Sequence, residues 1–502
     1  MGACLRTFIK KFLPIGYYTG KVVLLIAGTM TVPFLTAVVA GELGVALDFL
    51  TAIGVAASTG LALLLLCGGQ ERDLEWSQGM VVVACSWLLV MALAALPYYL
   101  SGHWGSYLDA MFDVMSGLTT TGLVLVQDLD HLPDGINMWR HLLTWLGGQG
   151  IVVLALSLLI RSLPGAFKMY VGEGKDERLL PNVISTARAI WFVSLTYLLV
   201  GTAALWGAGL AIGLPPGRAF LHGLWIFMAA WSTGGFAPQS QNIIYYHSFL
   251  YELVTVVFFL IGSLNFNLHW AIWSGDRREV YRNLEAVTFA VTSNLLAFWL
   301  LWELARLHVY PDVVSLVRRG YYSLISGHTT TGFMSLYARQ FILEWWPLAL
   351  LAITVAMLFG GSASSTAGGF KAMRVGIAFK AVRQEVRRLL APERAVVVEK
   401  IHLGRDLLLE DRHVRAALTI IVLYVLLWLV VAGVTAAYGY DLPSALFEAA
   451  SAVGNVGLTC GVTAPGMPAL VKVTYILGMW LGRLEFMAVF TLFGFFLRGW
   501  RK

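Results

Sequence analysis

Four short stretches carry the residue types from which a backbone site for a bare cation can be built. They are Thr120-Thr121-Gly122, Thr233-Gly234-Gly235, Thr330-Thr331-Gly332 and Asn455-Val456-Gly457. An ion stripped of water needs oxygen ligands on all sides. Four extended strands that turn main-chain carbonyls toward one axis can supply them. Glycine fits such a strand because it adopts unusual backbone angles readily and has no side chain to block the path. The carbonyls expected to hold the ion are those of Thr120, Thr121, Thr233, Gly234, Thr330, Thr331, Asn455 and Val456.

The four stretches belong to a repeat, and repeats decide the fold when they are present. Aligned on Gly122, Gly235, Gly332 and Gly457, the segments need no gaps. Twelve residues earlier stand Ala110, Gly223, Gly320 and Ala445; ten earlier, the aromatics Phe112, Trp225, Tyr322 and Phe447. Six earlier come Ser116, Ala229, Ser326 and Ser451, and just after the glycine Leu123, Phe236, Phe333 and Leu458. Each copy reads as a short helix followed by a returning strand. The helix C-terminus carries partial negative charge and favours a cation beyond it. A single Gly/Thr loop could be an ordinary connection, but four in register argue for a shared task.

Two further features lie below these strands. Gly360-Gly361-Ser362-Ala363-Ser364-Ser365-Thr366-Ala367-Gly368-Gly369 interrupts an apolar span with small and polar residues, and a broken helix at membrane depth borders a cavity. The alternative is a helix end followed by a loop. The string lacks G-K-[ST] and a preceding strand, so it is not a phosphate loop. Arg483 stands in the middle of the last apolar span, where a guanidinium costs roughly 2.5–3.5 kcal/mol unless it meets water or a partner. Facing the path, it sets a barrier to cations; the alternative is a structural pair with another repeat. Glu485 is expected to point away from it on the helix. Asp113 and Glu448 share one repeat column and, with Asp109, could gather cations at the mouth. Asp128, Asp130 and Asp134 read as solvated. Asn265 and His269, four apart, read as hydrogen-bonding groups between helices.

The elements that must position these residues are membrane spans. Of 502 residues 58% are hydrophobic and 13% charged, too few charges to keep a soluble surface wet. Apolar runs near 20–42, 46–68, 79–100, 137–160, 189–213, 248–273, 285–306, 344–362, 416–437 and 470–497 give ten candidate spans. About 20 helical residues cross the hydrocarbon core, and lipid leaves no water for unpaired backbone. Basic residues set the orientation: Arg161, Lys168, Lys175, Arg178 and Arg188; Arg277, Arg278 and Arg282; Lys371, Arg374, Lys380, Arg383, Arg387 and Arg388; and Arg498, Arg501 and Lys502. The positive-inside rule makes these segments and both termini cytoplasmic. The N-terminus reads as an uncleaved signal anchor. The expected fold is thus an all-α polytopic membrane protein: four helix–pore-loop–helix repeats around a central ion pore, plus two additional N-terminal transmembrane helices. The boundaries fall at 1–75 for the extension, then 76–185, 186–283, 284–413 and 414–502 for the repeats.

At this point the chain resembles the Trk/Ktr/HKT superfamily of potassium transporters, and within it the TrkH type. The resemblance rests on SGLTTTG (116–122), SGHTTTGF (326–333), GNVGL (454–458), LTWLGGQGI (143–151), SLNFNLHW (263–270), GGSASSTAGGFK (360–371) and LGRLE (481–485). It covers nearly the whole chain, and the two extra leading spans favour the TrkH type. The second loop, STGGF, departs from the pattern, where an asparagine-alanine pair more often precedes the glycine. The resemblance implies K+ as the transported ion, a homodimer with one pore per subunit, and a cytoplasmic nucleotide-binding (TrkA-like) regulatory ring. It implies a bacterial inner-membrane location and gating by Gly360, Gly361, Gly368, Gly369 and Arg483. No organic cofactor and no nucleic-acid partner is expected.

Other classes fare worse. A Na+-permeable or ion-coupled symporter of the same superfamily is the near alternative, and the four glycines argue against Na+. A membrane-embedded enzyme would need a catalytic set, yet the ten histidines include no HExxH and no serine sits in GxSxG. A scaffold subunit has no use for four pore loops. The four cysteines show no metal spacing.

Overall fold

Apolar runs of membrane length form helices here because a helix satisfies its own backbone in lipid. The computed structural model describes residues 2–68, 74–126, 128–150, 153, 183–345, 347–392 and 395–500, with the backbone alone at 2–10, 183–185 and 498–500. Among the described residues six helices are long and apolar enough to cross a membrane: Lys11–Ala40, Leu43–Cys67, Trp76–Leu100, Thr186–Ala211, Leu284–Arg306 and Asp411–Ala437. Two more spans are broken. Phe249–Gly262 and Phe266–Trp273 meet at 98°, and Ala469–Arg483 and Met487–Leu497 meet at 108°. The expected spans near 137–160 and 344–362 coincide with the helices Asp134–Gln149 and Pro347–Phe359. The basic residues Arg161, Lys168, Lys175 and Arg178, like Arg501 and Lys502, lie outside the described residues.

The first two helices pack on each other and on the span that opens the first repeat. Between the outer and inner span of each repeat lies a short helix: Tyr107–Leu118, Pro216–Trp231, Tyr322–His328 and Leu442–Val453. Side chains start three of the four segments. Ser106 and Asp441 accept N–H groups of Asp109 and Ser444 at the first and fourth helices. Asp312 does the same for Ser315, one turn ahead of a π-turn at Val317–Tyr321 that leads into the third. Such caps satisfy donors a helix start leaves open. The aromatic column Phe112, Trp225, Tyr322 and Phe447 is buried in every copy, and Ala110 and Ala445 are buried beside it. Large apolar side chains such as Val39, Leu65, Leu199 and Phe298 are exposed, as a chain with membrane-length apolar helices requires.

Among the described residues one element departs from an all-helical reading. Lys400–His402 pairs antiparallel with Asp406–Leu408, Ile401 opposite Leu407. The hairpin lies beyond the amphipathic helix Ala372–Leu390, whose Lys380, Arg383 and Arg387 surround the buried Glu399 at 3.0–3.5 Å.

Candidate ion pathway

Every short helix ends in the same way. The N–H of Thr120, Thr233, Thr330 and Asn455 bonds the carbonyl three residues back at 3.0–3.3 Å. The next N–H, of Thr121, Gly234, Thr331 or Val456, bonds the carbonyl of Ser116, Ala229, Ser326 or Ser451 at 2.7–2.8 Å. This is a Schellman closure, which needs a left-handed residue after the helix. That residue is glycine in most proteins; here it is Thr120, Thr233, Thr330 and Asn455, with φ of 57°, 50°, 55° and 55°. A β-branched residue held there stores strain, and strain clusters at functional sites.

The glycines that follow form a closed ring. Gly122, Gly235, Gly332 and Gly457 have φ of 90°, 61°, 83° and 96°. A methyl group on Gly122 would lie 2.6 Å from the Gly234 carbonyl oxygen. One on Gly235 would strike the Thr331 oxygen, one on Gly332 the Val456 oxygen, and one on Gly457 the Thr121 oxygen. The contacts run from the first repeat to the second, third, fourth and back to the first. Asn455 ties the last junction, donating to Thr121 Oγ1 at 3.1 Å. The departure in the second loop has a local cause: a side chain on Gly234 would strike Thr144 Oγ1. Above the ring a cavity of about 80 Å³ is lined by Gly122, Gly235, Gly457, Arg140 and Phe236 among others.

Beneath the ring, Gly360–Ala372 forms a fully buried loop. It touches all four strands. Thr366 faces the Thr120 and Thr233 hydroxyls at 3.5 and 3.2 Å, and the Gly368 N–H donates to Thr330 Oγ1 at 2.7 Å. A methyl on Gly368 would strike the Gly454 carbonyl. Gly360 and Gly369 take φ of 69° and 74° and lie against each other, which closes the neck of the loop. Arg483 donates to the Thr366 carbonyl at 2.6 Å and to the Gly147 carbonyl at 2.7 Å.

Arg483 is not in mid-helix. It is the last residue of its half-helix, where the C-terminal dipole favours a cation, and the chain turns at Glu485 and Phe486 with positive φ. Glu485 is therefore off the helix and pairs with Arg374. Asp109, Asp113 and Glu448 do not face the mouth. Asp109 forms a buried ion pair with Lys472 at 2.5 Å, and Asp113 and Glu448 are buried against main chain. Among the acids read as solvated, Asp128 pairs with exposed His131 at 2.8 Å, Asp130 accepts the Ser240 N–H at 2.9 Å, and Asp134 meets Arg218 at 2.6 Å. Asn265 reaches the next span, donating to Glu285 at 3.0 Å, whereas His269 bonds the Ile261 carbonyl of its own broken span at 3.0 Å.

Sequence reading missed a second set of glycines. A methyl on Gly147, Gly262 or Gly482 would collide with the final carbonyls of Leu118, Trp231 and Val453 on the short helices. Gly147 and Gly482 each stand 25 residues after their ring glycine, so extending the repeat alignment would have found them. Arg140 was also missed. It is buried beside the cavity, donates to the Ala237 carbonyl at 3.1 Å and lies over the Phe236 ring.

Comparison with known proteins agrees with this architecture. Residues 48–497 match the family model TrkH, described as a cation transport protein. The chain is 30% identical to the Trk system potassium uptake protein TrkH of Escherichia coli K12, over 94% of this chain and 96% of that protein. It is also 30% identical to an uncharacterized cation transporter of Methanocaldococcus jannaschii, over 84% of each. The crystal structure of the potassium transporter TrkH from Vibrio parahaemolyticus superposes with a TM-score of 0.81 at 27% identity, covering 96% of this chain and 98% of that one. A match over this much of the chain places it in a family, and the chain belongs to the TrkH family of cation transport proteins.

Proposed function

We propose that this chain carries K+ into the cell across the inner membrane, down the membrane potential, and that the glycine ring is its selectivity filter. The observation that carries this reading is the closed order of contacts among Gly122, Gly235, Gly332 and Gly457, each against the carbonyl one residue ahead of the next glycine. Carbonyls from Thr120, Thr121, Thr233, Gly234, Thr330, Thr331, Asn455 and Val456 would then replace the shed water shell. The buried loop Gly360–Ala372 and Arg483 close the path below in this reading. The loop must withdraw for an ion to pass, and the guanidinium raises the barrier while it stays. The relatives named for potassium uptake support the choice of ion.

By the same reading the chain works as a homodimer in a bacterial inner membrane with both termini cytoplasmic. A nucleotide-binding ring docks on the basic segments, the 371–415 cluster among them, through exposed members such as Arg383, Arg387 and Arg388. Reconstitution into vesicles followed by fluxes of K+, Rb+ and Na+ under an imposed potential tests the function. Saturable K+ and Rb+ flux with little Na+ is expected; equal passage of Na+ or no flux overturns it.

A further inference from the structure

The first and fourth repeats each bury a carboxylate nine residues before the ring glycine, and both reach the same atom of their strand. Asp113 Oδ1 accepts the N–H of Leu125 at 2.7 Å, three residues after Gly122. Glu448 Oε1 accepts the N–H of Cys460 at 3.0 Å, three residues after Gly457. Asp113 Oδ2 also takes the Trp104 indole N–H at 2.8 Å. Glu448 takes the N–H groups of Val462 and Thr463 at 3.1 and 3.4 Å, together with the Thr459 and Thr463 hydroxyls. Both side chains are fully buried. A buried carboxylate is tolerated only when such donors satisfy it, and bonds of this kind are about twice as strong as neutral ones.

The other two repeats lack this device. Their equivalent positions hold Ile226 and Ser323. Their outgoing strands are tied differently. After Gly235, Arg140 donates to the Ala237 carbonyl at 3.1 Å and Asp130 accepts the Ser240 N–H at 2.9 Å. After Gly332, Asn242 Oδ1 accepts the Met334 N–H at 3.1 Å, Ser326 Oγ donates to the Phe333 carbonyl at 2.7 Å, and Arg319 donates to the Ser335 carbonyl. The first and fourth repeats are neighbours in the ring, so one half of it is held by two fully buried carboxylates, while the other half relies on two arginines, neutral groups and the exposed Asp130.

We propose that Asp113 and Glu448 are positioning residues for ion discrimination. Resting on the reading of the ring as a filter, they hold the strand leaving Gly122 and Gly457 so that the adjacent carbonyls cannot close on a smaller ion. The two carboxylates answer differently to amide replacement. In Asp113 each oxygen meets an N–H donor, so the NH2 of an asparagine must face one of them. In Glu448 one oxygen collects the main-chain donors while the other meets a Thr463 hydroxyl, which can turn and accept.

The test is the Na+ to K+ flux ratio of the full chain in proteoliposomes, with size-exclusion profiles as a check on folding. Glu448→Ala and Asp113→Asn are expected to raise the ratio on the order of tenfold, the scale of one charge-assisted hydrogen bond. Glu448→Gln is expected to stay near the parent value, and Ser323→Ala to leave it unchanged. Gly332→Ser, in a repeat without the carboxylate, serves as control for the filter itself. If Gly332→Ser shifts the ratio while folded Glu448→Ala and Asp113→Asn do not, the carboxylates only stabilise the fold and the proposal fails. If Gly332→Ser also has no effect, the filter reading fails with it. Should the alanine variant not fold, Asp113→Asn against Glu448→Gln decides, and equal ratios overturn the proposal.

Discussion

The ring and the layer beneath it are built from the same four repeats to opposite ends. In the ring every copy repeats its hydrogen bonds, its left-handed residue and its glycine contact. One layer down, among the described residues, the copies part. The second and fourth inner helices bend by 98° and 108°, whereas the third opens into the buried Gly360–Ala372 loop. An ion held by equivalent oxygens needs four like partners. A gate needs one part that moves against the others, and so needs difference. On the reading proposed above, symmetry is kept where the ion would be recognised and given up where its passage would be controlled.

The largest effect should come from breaking the upper layer. Gly457→Ser places a side chain against the Thr121 oxygen at φ 96°. A left-handed residue with a Cβ costs about 1–2 kcal/mol before that collision is counted, so Na+ permeability relative to K+ should rise roughly tenfold or more by the free-energy scale of that strain. Reversal potentials in bi-ionic solutions read it, and unchanged values would remove the distinction between the layers. Next comes the lower layer. Arg483→Ala deletes the donor to the Thr366 and Gly147 carbonyls, so basal K+ flux should rise several-fold while the Na+ ratio stays put. A changed ratio would mean the two layers share one task. Thr366→Val removes hydroxyl bonds to the Trp231 and Gly262 carbonyls at 3.0 and 2.8 Å. About a twofold rise in flux is expected from one neutral hydrogen bond, again with no change in selectivity.

The smallest effect lies outside the membrane. Hydrogen bonding to Asp406, at 2.5 Å, raises the pKa of His402 above its ordinary 6.5, and Glu279 at 2.9 Å adds to it. Because the raised pKa favours the protonated ring in the folded hairpin, this contribution is complete below pH 6.5 and fades as pH climbs through the raised value. Hydrogen exchange of residues 400–408 should therefore quicken modestly with pH beyond the intrinsic rate, and His402→Ala should abolish that excess.

The upper layer was legible in the sequence because its demands fall on residue type. Positive φ and close carbonyls leave glycine as the residue that fits, and repetition exposes the pattern even where Thr233-Gly234-Gly235 departs from it. The lower layer was not legible for the converse reason. Mean hydropathy stays high across 248–273 and 470–497 despite Ser263, Asn265, Arg483 and Glu485, so the polar residues stand in the sequence without saying that the helix breaks there. Arg483 looked stranded because its partners are main-chain oxygens 117 and 336 residues away. Asp113 and Glu448 looked like mouth charges, since a carboxylate that caps main chain and one that faces water have the same spelling. The hairpin at 400–408 hid in a segment read only for its positive charge.

All four sides of the ring come from one polypeptide, and this shapes how its preference can change. In a pore made of four identical chains a single codon alters every side together. Here a substitution at Gly235 leaves the other three glycines as they were. If the ring is the filter proposed above, ion preference can drift one quarter at a time, and a chain with three glycines and one serine is a graded intermediate that evolution or an engineer can occupy.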